Sequence, residues 1–319
     1  MTARSLAAIA ASALAASLPL KTVAVVPLPG GSSRLDYASV DSQRHRLYIA
    51  HLGAGLVIVF DTKARRVVKT IPAPGAHGML VVPELGRVFA SATDEHKVLT
   101  IDERTLKVIA SAQAGEYPDG IAWDSADHRA YVSDESGGIE TVLNVLGHRL
   151  TSVALGGEAG NVQYDPVSHR ILVDVQTRNE LAVIDPHSER VVRRVGLSAS
   201  GCQHDHGLLV DAPRRLAFIA CDANALLLTF DLSRMKVISK ASIGGSPDVL
   251  AFDSSLRRLY VSSESGEIAV FAERGRGLTK LAQSFLAPEA HTVAVDSRTH
   301  LVYFPLQTGP ELRIMKPTS

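Results

Sequence analysis

The chain lacks most of the features that announce a function. Only two of its 319 residues are cysteines and one is a tryptophan, so it is no disulfide-dense scaffold of the kind that replaces a core with bridges. Neither sign of charge is in surplus, 33 basic residues facing 33 acidic ones. The cationic footprint that drives nucleic-acid binding is therefore missing, and no nucleic-acid partner is expected. No apolar run reaches the roughly 18 residues that a membrane-spanning helix needs, so no membrane span is expected. Gly-rich phosphate loops, His-Glu-x-x-His helices and Gly-x-Ser-x-Gly elbows are absent as well. Their absence argues against nucleotide hydrolysis, zincin proteolysis and α/β-hydrolase chemistry.

What the chain does contain is a repeat. The stretch His206-Gly-Leu-Leu-Val-Asp211 aligns with Asp36-Tyr-Ala-Ser-Val-Asp41, His77-Gly-Met-Leu-Val-Val82, Asp119-Gly-Ile-Ala-Trp-Asp124, Gly160-Asn-Val-Gln-Tyr-Asp165, Asp248-Val-Leu-Ala-Phe-Asp253 and His291-Thr-Val-Ala-Val-Asp296. Successive copies start 41, 42, 41, 46, 42 and 43 residues apart, the repeat length of a four-stranded propeller blade. Each copy continues through a polar turn into a second strand such as Leu47-Tyr-Ile-Ala-His51 or Ala130-Tyr-Val-Ser-Asp134, then a third closed by Asp and a fourth. This is hairpin grammar. The last copy ends after three strands, and Lys21-Thr-Val-Ala-Val-Val-Pro27 stands unassigned before the first. The pattern predicts an all-β fold, a seven-bladed β-propeller over residues 20–319, closed when the N-terminal strand completes the seventh blade and removes an open sheet edge.

Residues 1–19 read as a leader. Arg4 precedes a small apolar run, and Ala13-Leu14-Ala15 offers an A-x-A cleavage pattern, which together suggest a secretory signal and a periplasmic or secreted protein. Cys202 and Cys221 fall in one repeat, where an oxidising compartment would allow a disulfide.

The repeat grammar resembles the YVTN-type propeller family, which includes the YncE-like proteins, from about residue 20 to residue 316. Its tokens stand here as Pro118-Asp-Gly120, Pro247-Asp248, Tyr131-Val-Ser-Asp134 and Tyr260-Val-Ser-Ser263, while the family's Asn after Tyr-Val-Thr is missing from every copy. The resemblance implies a seven-bladed propeller, commonly exported, and transfers no catalytic residue; fold alone does not fix function.

In a propeller the first strand of each blade lines the channel, so the leading residues form a ring at one mouth: Asp36, His77, Asp119, Gly160, His206, Asp248 and His291. Histidines at near-threefold spacing make His77, His206 and His291 candidate ligands of one divalent transition metal (Zn, Fe, Cu or Mn), with the neighbouring aspartates orienting the rings. The alternative is a polar ring in which these groups satisfy one another. His204 and Asn161 are expected at the same face as substrate contacts. The ends of the second strands add His51, Asp134, Glu135, Cys221 and Glu264 as an outer ring, of which His51 and Asp134 are candidate ligand contacts. Three functions meet these residues. One is a propeller binding a metal ion or small polar molecule. Another is a lactonase-type hydrolase or lyase in which His204, Asp36, Asp119 or Asp248 serves as base. The third is a scaffold for protein partners. His45, His128, His169 and His300 share one turn position and read as hairpin residues.

Overall fold

The structure, a computed structural model, describes residues 17–318; the proposed cleavage pattern at residues 13–15 lies outside them. Within that range the chain forms 28 strands in seven antiparallel four-stranded sheets. Blades 1 to 6 are β2–β5 (residues 38–72), β6–β9 (76–113), β10–β13 (118–154), β14–β17 (159–196), β18–β21 (205–242) and β22–β25 (247–285). Blade 7 is β26 (Ala294–Asp296), β27 (Leu301–Leu306) and β28 (Glu311–Pro317), with β1 (Leu20–Pro27) as its outermost strand. β1 runs antiparallel to β28 from Leu20 opposite Pro317 to Pro27 opposite Glu311, the closure the unassigned strand predicts. The remaining regular structure among the described residues is a set of single 3₁₀ turns. No helix there is long and apolar enough to cross a membrane.

The second strands supply the core. Their third position holds Tyr48, Phe89, Tyr131, Leu172, Phe218, Tyr260 and Tyr303, and all seven are buried. An aromatic ring at this place packs between neighbouring sheets, which is why the clusters that hold the protein together run across blade boundaries, as where Val249, Tyr260 and Val270 of blade 6 meet Val302 and Phe304 of blade 7.

The turns explain the repeated Asp and His. Asp41 accepts the backbone N–H groups of Gln43 and Arg44 through one carboxylate oxygen, Asp124 and Asp253 do the same in their own turns, and Asp165 and Asp296 each accept one backbone N–H and one side-chain hydroxyl. The residue that then leads into the second strand is left-handed: His45, His128, His169 and His300 have φ between 51° and 59°. Their recurrence is a property of the hairpin, with no metal chemistry attached.

Candidate functional site

The first strands of successive blades contact one another in a closed ring around the channel. At one mouth a cavity of about 300 Å³ opens between them, lined among others by Arg34, His77, Asp119, His206 and Asp248 from the expected ring and the loops leading into it. Asp36 lies beneath it, fully buried. Gly160 gives the fourth seat no side chain; a Cβ there would stand 3.0 Å from the carbonyl oxygen of His206. A second cavity of about 290 Å³ occupies the channel below, where Tyr37, Ser39, Asn161 and Gln163 stand among aliphatic side chains such as Val162, Leu208 and Val249. Asn161 therefore faces the channel interior. The mouth is the chemically richer of the two.

Neighbouring seats pair with each other. His77 Nε2 lies 3.2 Å from Asp36 Oδ2 and 3.5 Å from Asp119 Oδ1. His206 Nε2 lies 3.2 Å from Asp248 Oδ1, while its Nδ1 is 3.0 Å from Gln176 Oε1. His291 donates from Nδ1 to the carbonyl of Glu289 at 2.9 Å, and its Nε2 stands 3.9 Å from Asp36 Oδ2. Because adjacent blades bring their leading residues closer than alternate blades do, each imidazole meets an aspartate before it meets another imidazole. The metal-competent group among the described residues is accordingly Asp36, Asp248 and His291, whose donor atoms all lie within 4.8 Å of one another. His77 and His206 stand outside that group, next to its carboxylates.

Burial and pairing set the charges. Asp36 is desolvated, which disfavours its anion, yet His77 and His291 outweigh that and hold it well below the ordinary carboxylate range. Asp248, equally buried, is lowered by its hydrogen bond to His206. Asp119 keeps more of its burial penalty and is pushed up to about 6 against the opposing pull of His77 and His206. For the histidines burial works against the charged form, but Asp119 and Asp36 raise His77 to about 9, Asp248 raises His206 to about 10, and Asp36 raises His291. At neutral pH protons therefore share the mouth with the carboxylates, and an incoming cation competes with them.

The outer ring splits by strand parity. The last residue of each second strand turns inward between blades: His51 is held by Ser33 Oγ at 2.9 Å and the carbonyl of Pro29 at 3.0 Å, and Asp134 accepts the N–H groups of Glu116 and Tyr117. Both clasp loops and neither lines the mouth. Cys221, at the same position, is bonded to Cys202, with Cα atoms 5.4 Å apart. One residue further on, Glu135, Gln176, Asp222 and Glu264 all reach the cavity. Gln176 links Glu135, 3.1 Å from its Nε2, to His206. His204 also lines the mouth, with Nδ1 3.5 Å from Asp222. The reading from sequence has no place for Arg34, Tyr117, Gln176 or Asp222. Arg34 is central: its Nε donates to Asp36 at 2.8 Å, one Nη to Glu264 at 2.8 Å and the other to Asp248 at 3.4 Å.

No family model matches the chain. Two curated relatives, the YncE proteins of Salmonella typhi and of Salmonella typhimurium strain LT2, are each 27% identical to it over 95 residues. That match covers 30% of this chain and 27% of each relative's length. Among solved structures, a chain from the mitotic checkpoint complex superposes with a TM-score of 0.78 at 10% identity, covering 100% of this chain and 97% of that one. A chain of Kuenenia stuttgartiensis hydrazine synthase gives 0.75 at 13%, with 97% and 98% covered. At such identities these two likenesses speak for the fold alone. The chain is a seven-bladed β-propeller whose sequence resembles YncE over 30% of its length.

Proposed function

We propose that this is an exported binding propeller whose channel mouth captures a small cation or a cationic polar molecule. The observation that carries the reading is the charge of the mouth. Asp119, Glu135, Asp222, Asp248 and Glu264 line it and Asp36 lies beneath, six carboxyl groups against the guanidinium of Arg34 and the protonated imidazoles of His77, His206 and His291, so acidic groups remain in the majority. Carboxylates gathered in a low-dielectric recess concentrate positive ligands and repel anions. The cavity's volume suits a metal ion with its waters or a short amine. Export is supported by the Cys202–Cys221 bridge, since disulfides persist in oxidising compartments.

Calorimetric titration of the purified protein with Zn²⁺, Mn²⁺, a linear polyamine and sulfate tests the reading. The expected result is saturable binding of at least one cation, none of sulfate, and a loss of about tenfold in affinity, roughly 1.4 kcal/mol, in Glu135→Gln/Glu264→Gln. Sulfate binding without cation binding would overturn it. A hydrolase or lyase would use the same floor, so adding a lactone to the metal-loaded protein separates turnover from capture.

A further inference from the structure

The structure assigns a divalent-metal site to Asp36, Asp248 and His291, entered when the ion takes the place of the Arg34 guanidinium. The assignment rests on the cation-binding reading of the mouth and names its ligand and its donors. Three observations carry it. The carboxylate oxygens and the imidazole nitrogen lie within 4.8 Å of one another on buried residues. Donors around an ion at about 2.1 Å stand roughly 3.4 Å apart in a tetrahedral shell, so side-chain movements of about an ångström complete it.

His291 is already set for this role. Its Nδ1–H is spent on the carbonyl of Glu289 at 2.9 Å, the outer-shell bond that leaves Nε2 as the donor and fixes the ring plane. That Nε2 is buried and has no hydrogen-bond partner, and the same holds for Asp36 Oδ1. Two carboxylates and one imidazole suit Zn²⁺, Mn²⁺ or Fe²⁺, and they leave coordination positions open toward the cavity.

Arg34 shows what holds the two carboxylates together in the absence of an ion. Its guanidinium bridges Asp36 and Asp248, at 2.8 and 3.4 Å, so it cannot remain there beside a divalent cation. Its third contact points the way out. Glu264, at 2.8 Å, is half exposed at the rim, and the Arg34 side chain is itself 39% exposed. Swinging outward, Arg34 keeps that partner and surrenders the other two. The residue then sets selectivity: an ion must attract the pair of carboxylates more strongly than a tethered guanidinium does, which favours a divalent ion over a monovalent one.

Zn²⁺ and Mn²⁺ affinities of the full chain, measured by competition with a chelating dye, test the assignment, with thermal unfolding run alongside to show that each variant folds. One ion per chain is expected. Arg34→Gln should bind at least tenfold more tightly, because the competitor is gone. His291→Gln and Asp248→Asn should bind about 100-fold more weakly, whereas His206→Gln, which removes a partner of Asp248 and no donor, should lose about tenfold. Unchanged or weaker binding by Arg34→Gln, or wild-type binding by folded His291→Gln, overturns the assignment while leaving a cation-binding mouth intact. If the polyamine binds and neither metal does, the metal site falls and the broader reading stands. If no cation binds to wild type or to Arg34→Gln, both fall.

Discussion

The two faces of the propeller use aspartate in opposite ways. At the turn face each blade is fastened to the next. Arg44 reaches the Pro83 carbonyl at 3.1 Å, Trp123 Nε1 donates to Glu84 at 2.8 Å, Arg129 pairs with Glu189, and Arg215 holds Asp165 at 2.5 and 2.6 Å. Arg276 pairs with Asp231 at 2.9 Å, His300 with Asp253 at 2.8 Å, and Ser42 donates to Asp296 at 2.5 Å, which completes all seven junctions. In every blade a turn-face aspartate also accepts at least one N–H from its own turn, so the backbone fixes its oxygen. At the mouth Asp36, Asp119 and Asp248 are held only by histidines, Arg34 and the Tyr37 hydroxyl. Side chains can exchange partners where backbone cannot. The same residue type is structural at one end of the channel and available for a ligand at the other.

The strongest way to break the comparison is to remove both faces at once. Starting the chain at Gly30 deletes β1 and its pairing with β28, leaving an open edge on blade 7. We expect loss of the cooperative unfolding transition in a urea titration followed by circular dichroism; a wild-type midpoint would show that ring closure contributes nothing.

Replacing both cysteines by serine should cost about 3 kcal/mol, the loop-closure value for a span of this size. The bridge spans 19 residues and ties the loop bearing His204 to the end of β19 (Leu216–Cys221). Unlike the turn-face pairs, it stiffens the mouth, so weaker cation binding should accompany the lower urea midpoint. Unchanged binding would detach the bridge from the site.

On the turn face, Arg215→Ala leaves Asp165 buried beside its blade partner with only its own turn to satisfy it. The expected cost is about 2 to 3 kcal/mol, at or just below the low end for breaking a buried pair because Arg215 is partly exposed. A loss below about 0.5 kcal/mol would mean that the staples are ornamental.

This asymmetry also marks how far the sequence could be read. The blades were legible because hairpin periodicity recurs at fixed spacing, and the ring because each copy leads with the residue that enters the channel. What sequence spacing could not supply was which seats touch. Three histidines at near-threefold placement suggest one centre, but aspartates in the adjacent seats intercept His77 and His206. Arg34 stands two residues before Asp36, the place that Tyr117, His204 and Ser246 hold in their own copies, and all four line the mouth; the aligned strands begin two residues too late to show it. His51 and Asp134 were one residue from the informative place: side chains alternate along a strand, and the next residue, as in Glu135 and Gln176, is the one that reaches the mouth.

At the mouth end of the channel, next to His206, Asp174 and Asp205 bury their carboxyls against each other where blades 4 and 5 meet. Burial pushes both up, Asp205 to about 8 and Asp174 well above its usual range, with the Asp205 charge adding to the shift of Asp174. The folded state thus holds protons that the unfolded chain releases near pH 4. Their stabilisation is complete below that value and is lost as pH rises toward 8 and beyond. Asp174→Asn should flatten this stretch of the stability profile, with the change read as the difference in urea midpoint between pH 5 and pH 9. An equally steep profile in the variant would place the titration elsewhere.

The smallest effect on stability is expected from the substitution that looks most drastic. His77 and Asp119 are both buried, and the double change His77→Gln/Asp119→Asn removes both members of a charged pair while keeping their size and hydrogen-bonding capacity. Exchanging a buried ion pair for neutral groups is often neutral, because the desolvation cost disappears together with the attraction. Asp36 retains Arg34 at 2.8 Å and His291 nearby, so no carboxylate is stranded. The urea midpoint should move by less than the equivalent of about 1 kcal/mol in either direction. Cation affinity should nonetheless fall, since Asp119 contributes to the field at the mouth and His77 orients Asp36. The matched pair on the turn face, Asp165→Asn/Arg215→Gln, should cost more, because the amide serves the backbone of the turn less well than a carboxylate does. Equal losses from the two double variants would erase the distinction between the faces; a stable mouth variant with weakened binding would place the exchangeable charges where the ligand enters.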